Sequence, residues 1–194
     1  MAWEKRRKPK DGHRNIEKTT SEIGVEEIRG IEGDGKMQHV FLVGAKSLGA
    51  YGGYETFINK LTEHHQSNPD IKYHVAVKAN GQGAGVPDGV EVVNGRYTYH
   101  NADCFQVKIP EKLGPAQAIY YDCAALKKSI EIIKEEKISN PIVYIMTCRI
   151  GPFFNYFCRA IHKLGGRVFL NPDGECEIIW TTRKKPDFMR VYAA

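Results

Sequence analysis

The sequence predicts an α/β fold in which a parallel sheet carries helices on both faces. Strand-like apolar runs alternate with helical segments along most of the 194-residue chain. The run at residues 40–43 ends in a glycine-rich turn, and a helix-like segment follows from Tyr54. The longest apolar stretch, at residues 141–148, has the length of a strand buried on both faces. Because repeated strand–helix units join parallel strands by right-handed crossovers, the sheet is expected to be doubly wound.

The first half of the chain supplies the clearest strand–helix–strand unit. Residues 39–43 are an apolar run and predict a strand. Residues 54–66 predict a helix, because Phe57 and Leu61 lie four positions apart on one face. Residues 72–78 alternate apolar and polar side chains, as a strand does. A strand–helix crossover therefore links two parallel strands.

The middle of the chain is less regular. Residues 79–89 are rich in glycine and predict a mobile loop. Short apolar runs at residues 90–93 and 104–109 predict two strands. Residues 117–137 predict the longest helix, with an inward face formed by Leu126, Ile130 and Ile133.

The last part repeats the strand–helix pattern. Residues 142–147 predict a buried strand, and residues 152–164 predict a helix that ends at Gly165. Residues 167–170 predict the last strand. The domain is therefore expected to extend over residues 37–174.

The residues before that domain differ in composition. Residues 1–36 are rich in Lys, Arg, Glu and Gly and poor in apolar side chains, so they predict a disordered basic and polar extension. Basic residues at positions 5–10 are able to touch acidic lipid headgroups. Met37 lies directly before the first strand and is a natural start for the folded domain.

Composition narrows the class of protein. The net charge of +5 permits an anionic ligand or a membrane surface and does not argue for nucleic acid. The five cysteines include no Cys-x-x-Cys, so reduced thiols are expected. His64 and His65 are adjacent and lack the spacing of a helical metal pair. No metal, no cofactor and a cytoplasmic location are expected.

The glycine loop at residues 44–53 is the most informative segment. A Walker loop would end in Gly-Lys-Ser/Thr. A dinucleotide fingerprint would read Gly-x-Gly-x-x-Gly directly after the strand, whereas this loop has four residues between its first two glycines and ends in a Gly-Gly pair. Two interpretations remain. Gly49, Gly52 and Gly53 bring backbone N–H groups to a phosphate at a helix N-terminus, or the glycines only permit a tight connection.

Three polar segments follow predicted strands and should meet at the carboxyl edge of the sheet: residues 44–53, 148–149 and 171–174. Arg149 either holds a phosphate or caps carbonyls and pairs with Asp173 or Asp122. Asp173 either accepts from sugar hydroxyls or acts as a base, or it only completes a Pro-Asp-Gly turn. Glu55 either binds a ligand hydroxyl or complements the helix dipole. The aromatic pair before Asp122 favours packing over a sugar platform.

Four ordered segments resemble a known family. GAKSLGAYGGYETF, GPAQAIYYDCAALKKSIE, CRIGPF and NPDG are similar to the N-terminal domain of bacterial rhamnosyltransferases, which are retaining family-4 glycosyltransferases with the GT-B fold. The resemblance covers about residues 37–174 and implies a Rossmann-like domain. Four segments in order are more specific than one glycine loop.

The resemblance also implies an activity. Such enzymes transfer a deoxysugar from a nucleotide-sugar, typically dTDP-rhamnose, to a lipid-linked or saccharide acceptor during cell-surface polysaccharide synthesis, without a metal. The location implied is the cytoplasm or the inner face of the membrane. The donor phosphates are expected near Gly49, Gly52 and Gly53. Arg149 and Asp173 are expected to line the cleft, and Asp173 is the candidate catalytic residue.

The sequence departs from that family after Gly174. The histidine that usually follows is replaced by Glu175, and residues 175–194 read as a divergent tail. The donor-binding domain is therefore expected to be absent. A lost reading frame and an inactive, truncated enzyme are therefore expected. The alternative is a non-catalytic binding module, or half of a split transferase that a separate C-terminal domain completes. A dehydrogenase is disfavoured because no acidic residue ends the second predicted strand.

Overall fold

The computed structural model describes residues 37–49 and 52–171. All described elements belong to the unit Met37–Ala194. The predicted extension at residues 1–36 and the predicted tail at residues 175–194 lie outside the described residues, as does Asp173.

The described residues form one sheet and helices on its two faces. The strands are β1 (Gln38–Val43), β2 (Ile71–Lys78), β3 (Arg96–Tyr99), β4 (Ala102–Val107), β5 (Ile142–Ile145) and β6 (Arg167–Leu170). The α-helices are α1 (Gly53–His64), α2 (Gln117–Glu135) and α3 (Phe154–His162). The strand order is β3-β4-β2-β1-β5-β6. Every neighbouring pair is parallel except β3 and β4. The predicted α/β, Rossmann-like fold is confirmed, with one antiparallel edge strand.

Each face of the sheet has its own apolar core. Helices α2 and α3 cover one face, where the predicted inward residues Leu126 and Ile133 pack with Phe41 and Val143. Helix α1 covers the other face, where Ile58 packs among side chains of β1 and β2. Burying one such side chain contributes about 1.5–3 kcal/mol, so these two layers fix the helices against the sheet.

The predicted strand at residues 90–93 is wrong, and strand β3 was not predicted. Val93 forms only an isolated bridge with Arg96. Asn94 and Gly95, both with positive φ, form the turn between them. A second turn, at His100 and Asn101, reverses the chain so that residues 96–99 pair antiparallel with β4; His100 has a φ of 50°. Strand β3 is therefore set by a hairpin turn, whereas its own four residues carry a weak strand pattern.

Helices α2 and α3 are each preceded by a 3₁₀ helix of the same kind. A 3₁₀ helix (Glu111–Ala116) precedes α2, and another (Cys148–Phe153) precedes α3. Each contains a Gly-Pro pair, with φ of 49° at Gly114 and 44° at Gly151. These glycines are at positions where other residues would be strained. The second 3₁₀ helix explains why α3 begins two residues later than the sequence pattern predicted.

Candidate functional site

The polar residues that follow β1 and β5 meet Asn171, the one described residue after β6, at the carboxyl edge of the sheet. The backbone N–H of Met146 donates to the carbonyl of Val43 at 2.8 Å, and that of Asn171 donates to the carbonyl of Ile145 at 2.8 Å. The Cys148 thiol donates to the Asn171 carbonyl at 3.5 Å. These contacts join the ends of three neighbouring strands into one surface, here called the rim.

Asp122 and Arg149 form the centre of the rim. The Arg149 Nε donates to Asp122 Oδ2 at 3.0 Å, and its Nη2 donates to Oδ1 at 3.2 Å. The Thr147 hydroxyl donates to the same Oδ2 at 3.0 Å. Arg149 Nη2 also donates to the carbonyl of Gly44 at 3.3 Å. One arginine thus ties the segment after β5 to the start of α2 and to the end of β1.

The burial of the two partners is unequal. The Asp122 side chain is fully buried, whereas that of Arg149 is 38% exposed. Burial raises the pKa of the Asp122 carboxyl, and the Arg149 guanidinium and the Thr147 hydroxyl offset part of this rise. Of the alternatives for Arg149, the structure shows the pairing with Asp122 and the contact with a carbonyl. The exposed part of the guanidinium still faces solvent, so phosphate binding stays a prediction.

Tyr121 packs against the buried side of the rim. Its side chain is almost completely buried, and its hydroxyl lies within hydrogen-bond distance of the carbonyls of Ala45 and Ala76. Packing was predicted for both tyrosines before Asp122; it is confirmed for Tyr121, whereas Tyr120 is 41% exposed. Lys78, the last residue of β2, holds its Nζ 5.7 Å from the centroid of the Tyr121 ring.

Glu55 organises the glycine loop. Its side chain is buried, and Oε1 accepts the backbone N–H of Lys46 at 2.8 Å. A Cβ added to Gly52 would lie 2.6 Å from the Glu55 Oε2. The carboxylate therefore lies within the first turn of α1 and also fixes the loop, a role that neither interpretation of Glu55 included. Gly53 has open space around its Cβ position, which leaves a surface at the start of α1.

Gly44 is the loop residue for which the backbone requires glycine. Its φ is +124°, and a Cβ there would lie 3.0 Å from the Cβ of Met146. Both the dihedral angle and the close approach of the segment after β5 exclude a side chain. Gly44 thus permits the carbonyl contact that Arg149 makes.

A cleft of about 480 Å³ opens beside the glycine loop. It is lined by aromatic and small residues from α1, β5 and the rim: Gly53, Tyr54, Phe57, Tyr144, Met146 and Asn171. Aromatic faces suit a sugar ring, because pyranose C–H groups and aromatic rings bury apolar area together. The cleft therefore has a volume within the range of small-molecule sites, and three aromatic side chains in its lining.

The sequence reasoning missed Lys78 as a ligand candidate and considered it only as the end of a strand. Asp122 was considered as a partner for Arg149, which is the contact that it makes. Within the described ranges, no group of His, Cys, Asp and Glu side chains is arranged to hold a metal ion. In the same ranges every helix is too short or too polar to cross a membrane.

The fold and the rim define a Rossmann-like α/β domain whose polar groups gather at the carboxyl edge of the sheet. Residues 37–193 match the family described as "Domain of unknown function (DUF1972)", and the chain belongs to that family. This domain is associated with glycosyltransferase-like proteins. The match includes residues 175–193, for which the sequence predicted a divergent tail. No curated protein matches the chain.

Proposed function

We propose that this domain is the acceptor-side half of a retaining glycosyltransferase of the GT-B type. The reaction moves a deoxysugar, with rhamnose as the first candidate, from a nucleotide-sugar such as dTDP-rhamnose to a saccharide or lipid-linked acceptor. The anomeric carbon exchanges its bond to the nucleotide phosphate for a bond to an acceptor hydroxyl oxygen. The hydroxyl proton and the nucleoside diphosphate leave.

One observation carries the proposal. Arg149 bonds to both Asp122 and Gly44, and these three residues belong to three of the four segments that resemble the rhamnosyltransferases. The fourth segment begins at Asn171, whose carbonyl accepts from Cys148. Segments that carry a family resemblance and also meet at one edge support a shared site, because ligands of such sheets bind at the carboxyl ends of the strands.

The rim supplies one wall of a cleft. In this proposal the aromatic cleft beside α1 takes the acceptor, and the glycine loop faces the donor. A second domain closes the site and excludes water, which strengthens the electrostatic stabilisation of the departing phosphate.

A transfer assay tests the proposal. The full chain is incubated with dTDP-rhamnose and a panel of free and lipid-linked oligosaccharides, alone and after co-expression with the reading frame that follows its gene. We expect acceptor-dependent release of dTDP when a donor-binding domain is supplied. No acceptor-dependent release in either arm would contradict the transferase and favour a non-catalytic binding module.

A further inference from the structure

Positive side chains from three neighbouring strands gather at the rim. Lys46 follows β1, Lys78 ends β2, and Arg149 follows β5. The backbone N–H of Lys78 donates to the carbonyl of Lys46 at 2.7 Å, so these two residues lie side by side. The carbonyl of Gly44 accepts from Arg149 at 3.3 Å, which brings the third cation to the same segment.

The carboxylates beside these cations are already engaged. Asp122 is fully buried and accepts from Arg149 and Thr147. Glu55 is 4% exposed and accepts the backbone N–H of Lys46. Among the described residues, three cationic residues therefore accompany two engaged carboxylates, so this part of the rim carries a net positive charge.

Lys78 forms no ion pair with any described carboxylate. It is half-buried against Tyr121, and its Nζ donates to the backbone carbonyl of Gln82 at 3.3 Å. Within residues 37–49 and 52–171, no carboxylate oxygen lies within 4.0 Å of this Nζ. Burial, and then the charges of Lys46 and Arg149, lower the pKa of Lys78. A bound anion would favour the charged ammonium and would therefore oppose this lowering of the pKa.

We infer that Lys78 and Arg149 form a binding site for a phosphate group, and that the acceptor held on this wall is a phosphorylated saccharide. An ammonium has three donors, and one of them serves Gln82. The described hydrogen bonds of Arg149 use Nε and Nη2, which leaves Nη1 for a ligand. A tetrahedral phosphate offers several strong acceptor oxygens to two such donors at once. The inference rests on the proposed function, in which this domain forms the acceptor side of the enzyme; the phosphate site lies at the rim, outside the residues that line the aromatic cleft.

Calorimetric titration of the full chain tests the inference with three probes: glucose 1-phosphate, inorganic phosphate and dTDP. We expect glucose 1-phosphate to bind, inorganic phosphate to bind more weakly, and dTDP to bind no more tightly than inorganic phosphate. Lys78→Met should weaken the binding of glucose 1-phosphate by about 10- to 100-fold, since it removes a charge-assisted hydrogen bond. Lys72→Met is the matched control. It removes the same charge from the opposite end of β2, where Lys72 pairs with Asp103 at 3.2 Å, and it should change the affinity by less than about threefold.

Two results would overturn the inference. Equal affinity of Lys78→Met and the wild type for glucose 1-phosphate would contradict the inference. Tighter binding of dTDP than of glucose 1-phosphate, with the same dependence on Lys78, would assign the phosphate site to the donor. Thermal unfolding checks that the variant folds. If the variant does not fold, an NMR titration of the wild type with glucose 1-phosphate replaces the comparison of affinities. Amide shifts of Lys46 and Lys78 that do not move would contradict the inference.

The two proposals fail in different ways. Transfer to neutral saccharides only, with no binding of glucose 1-phosphate, overturns the phosphate site and leaves the transferase. Phosphate binding that depends on Lys78, without transfer in either arm of the transfer assay, supports the phosphate site and removes the transferase.

Discussion

Arg149 and Asp122 form an ion pair, with 3.0 Å between Nε and Oδ2, that connects a wholly buried carboxylate to a guanidinium 38% exposed to solvent. The two residues lie 27 positions apart in the sequence. Their contact joins the segment after β5 to the start of α2. The buried end of the pair organises the rim, and the exposed end is available to a ligand.

Replacing Arg149 should destabilise the fold in a pH-dependent way. In Arg149→Met, the buried Asp122 loses the partner that offsets its raised pKa, so that pKa rises further. A carboxyl with a raised folded-state pKa binds more protons in the folded chain than in the unfolded chain. Stability therefore falls as the pH rises above the pKa of the unfolded aspartate, which is near 3.9. We expect a loss of about 1–3 kcal/mol at pH 7, discounted for the exposed guanidinium, and a smaller loss at pH 4.

Urea denaturation at the two pH values measures this difference. Arg96→Met is the matched control, since the Arg96–Glu136 pair is exposed on both sides and should be worth at most about 1 kcal/mol. An equal loss at pH 7 and pH 4 would contradict the role assigned to Asp122.

Removing the Glu55 carboxylate should loosen the glycine loop. Glu55→Ala leaves the backbone N–H of Lys46 without its acceptor and should cost about 1–3 kcal/mol. Glu55→Gln keeps an acceptor oxygen and should cost less. Hydrogen exchange at the Lys46 amide should accelerate most in the alanine variant. The exposed Glu63→Ala is the control, and exchange that is unchanged in Glu55→Ala would refute the contact.

A side chain at Gly44 should be poorly tolerated. Gly44→Ala places a Cβ 3.0 Å from that of Met146 at a φ of +124°, so we expect a loss of about 1–3 kcal/mol in unfolding free energy. Gly53→Ala, at an open helical position, should be neutral or slightly stabilising. Equal unfolding midpoints for the two variants would show that Gly44 does not have this constraint.

His74 should make the fold sensitive to acid. Its side chain is buried in β2 and stacks on Phe41, and its Nε2 lies 2.8 Å from the His39 Nδ1. Burial, and then the charge of His39, lower the pKa of His74 to about 4; Asp103 and Glu136 oppose this, and Lys72 adds to it.

The sign of this effect follows from proton uptake. The unfolded chain binds a proton at His74 near pH 6.5, whereas the folded chain does so only near pH 4. Stability should therefore fall as pH drops through this window, by up to about 3 kcal/mol. His74→Phe should flatten the profile, and the exposed His64→Gln should not. A wild-type profile that is level between pH 6.5 and 4 would contradict the prediction.

Most of the fold could be predicted because its elements have strong local patterns. The predicted strand at residues 167–170 coincides with β6, and the predicted helix at residues 117–137 differs from α2 only at its end. Strand β3 escaped prediction because pairing with β4 determines it, and four residues are too short a run to show a pattern, although Tyr97 and Tyr99 pack into one core. Tertiary pairing overrides a weak local pattern in such a strand.

The meeting of polar segments at the rim could also be predicted, because strand ends of a parallel sheet share one edge. The partner of Arg149 could not be chosen from sequence, since two aspartates were available. The role of Glu55 depends on a loop path that brings Lys46 back to α1. The position of the half-buried Lys78 beside two other cations depends on tertiary structure, and no local sequence pattern predicts it.

The most direct test of the acceptor-side wall is an amide NMR titration of the full chain with the saccharide acceptor that supports transfer. The account predicts shifts concentrated at Gly44–Lys46, Lys78 and residues 147–149, with additional shifts in the aromatic cleft at Phe57 and Tyr144. Shifts confined to the groove between α2 and α3, around Cys123 and Ala160, would contradict it.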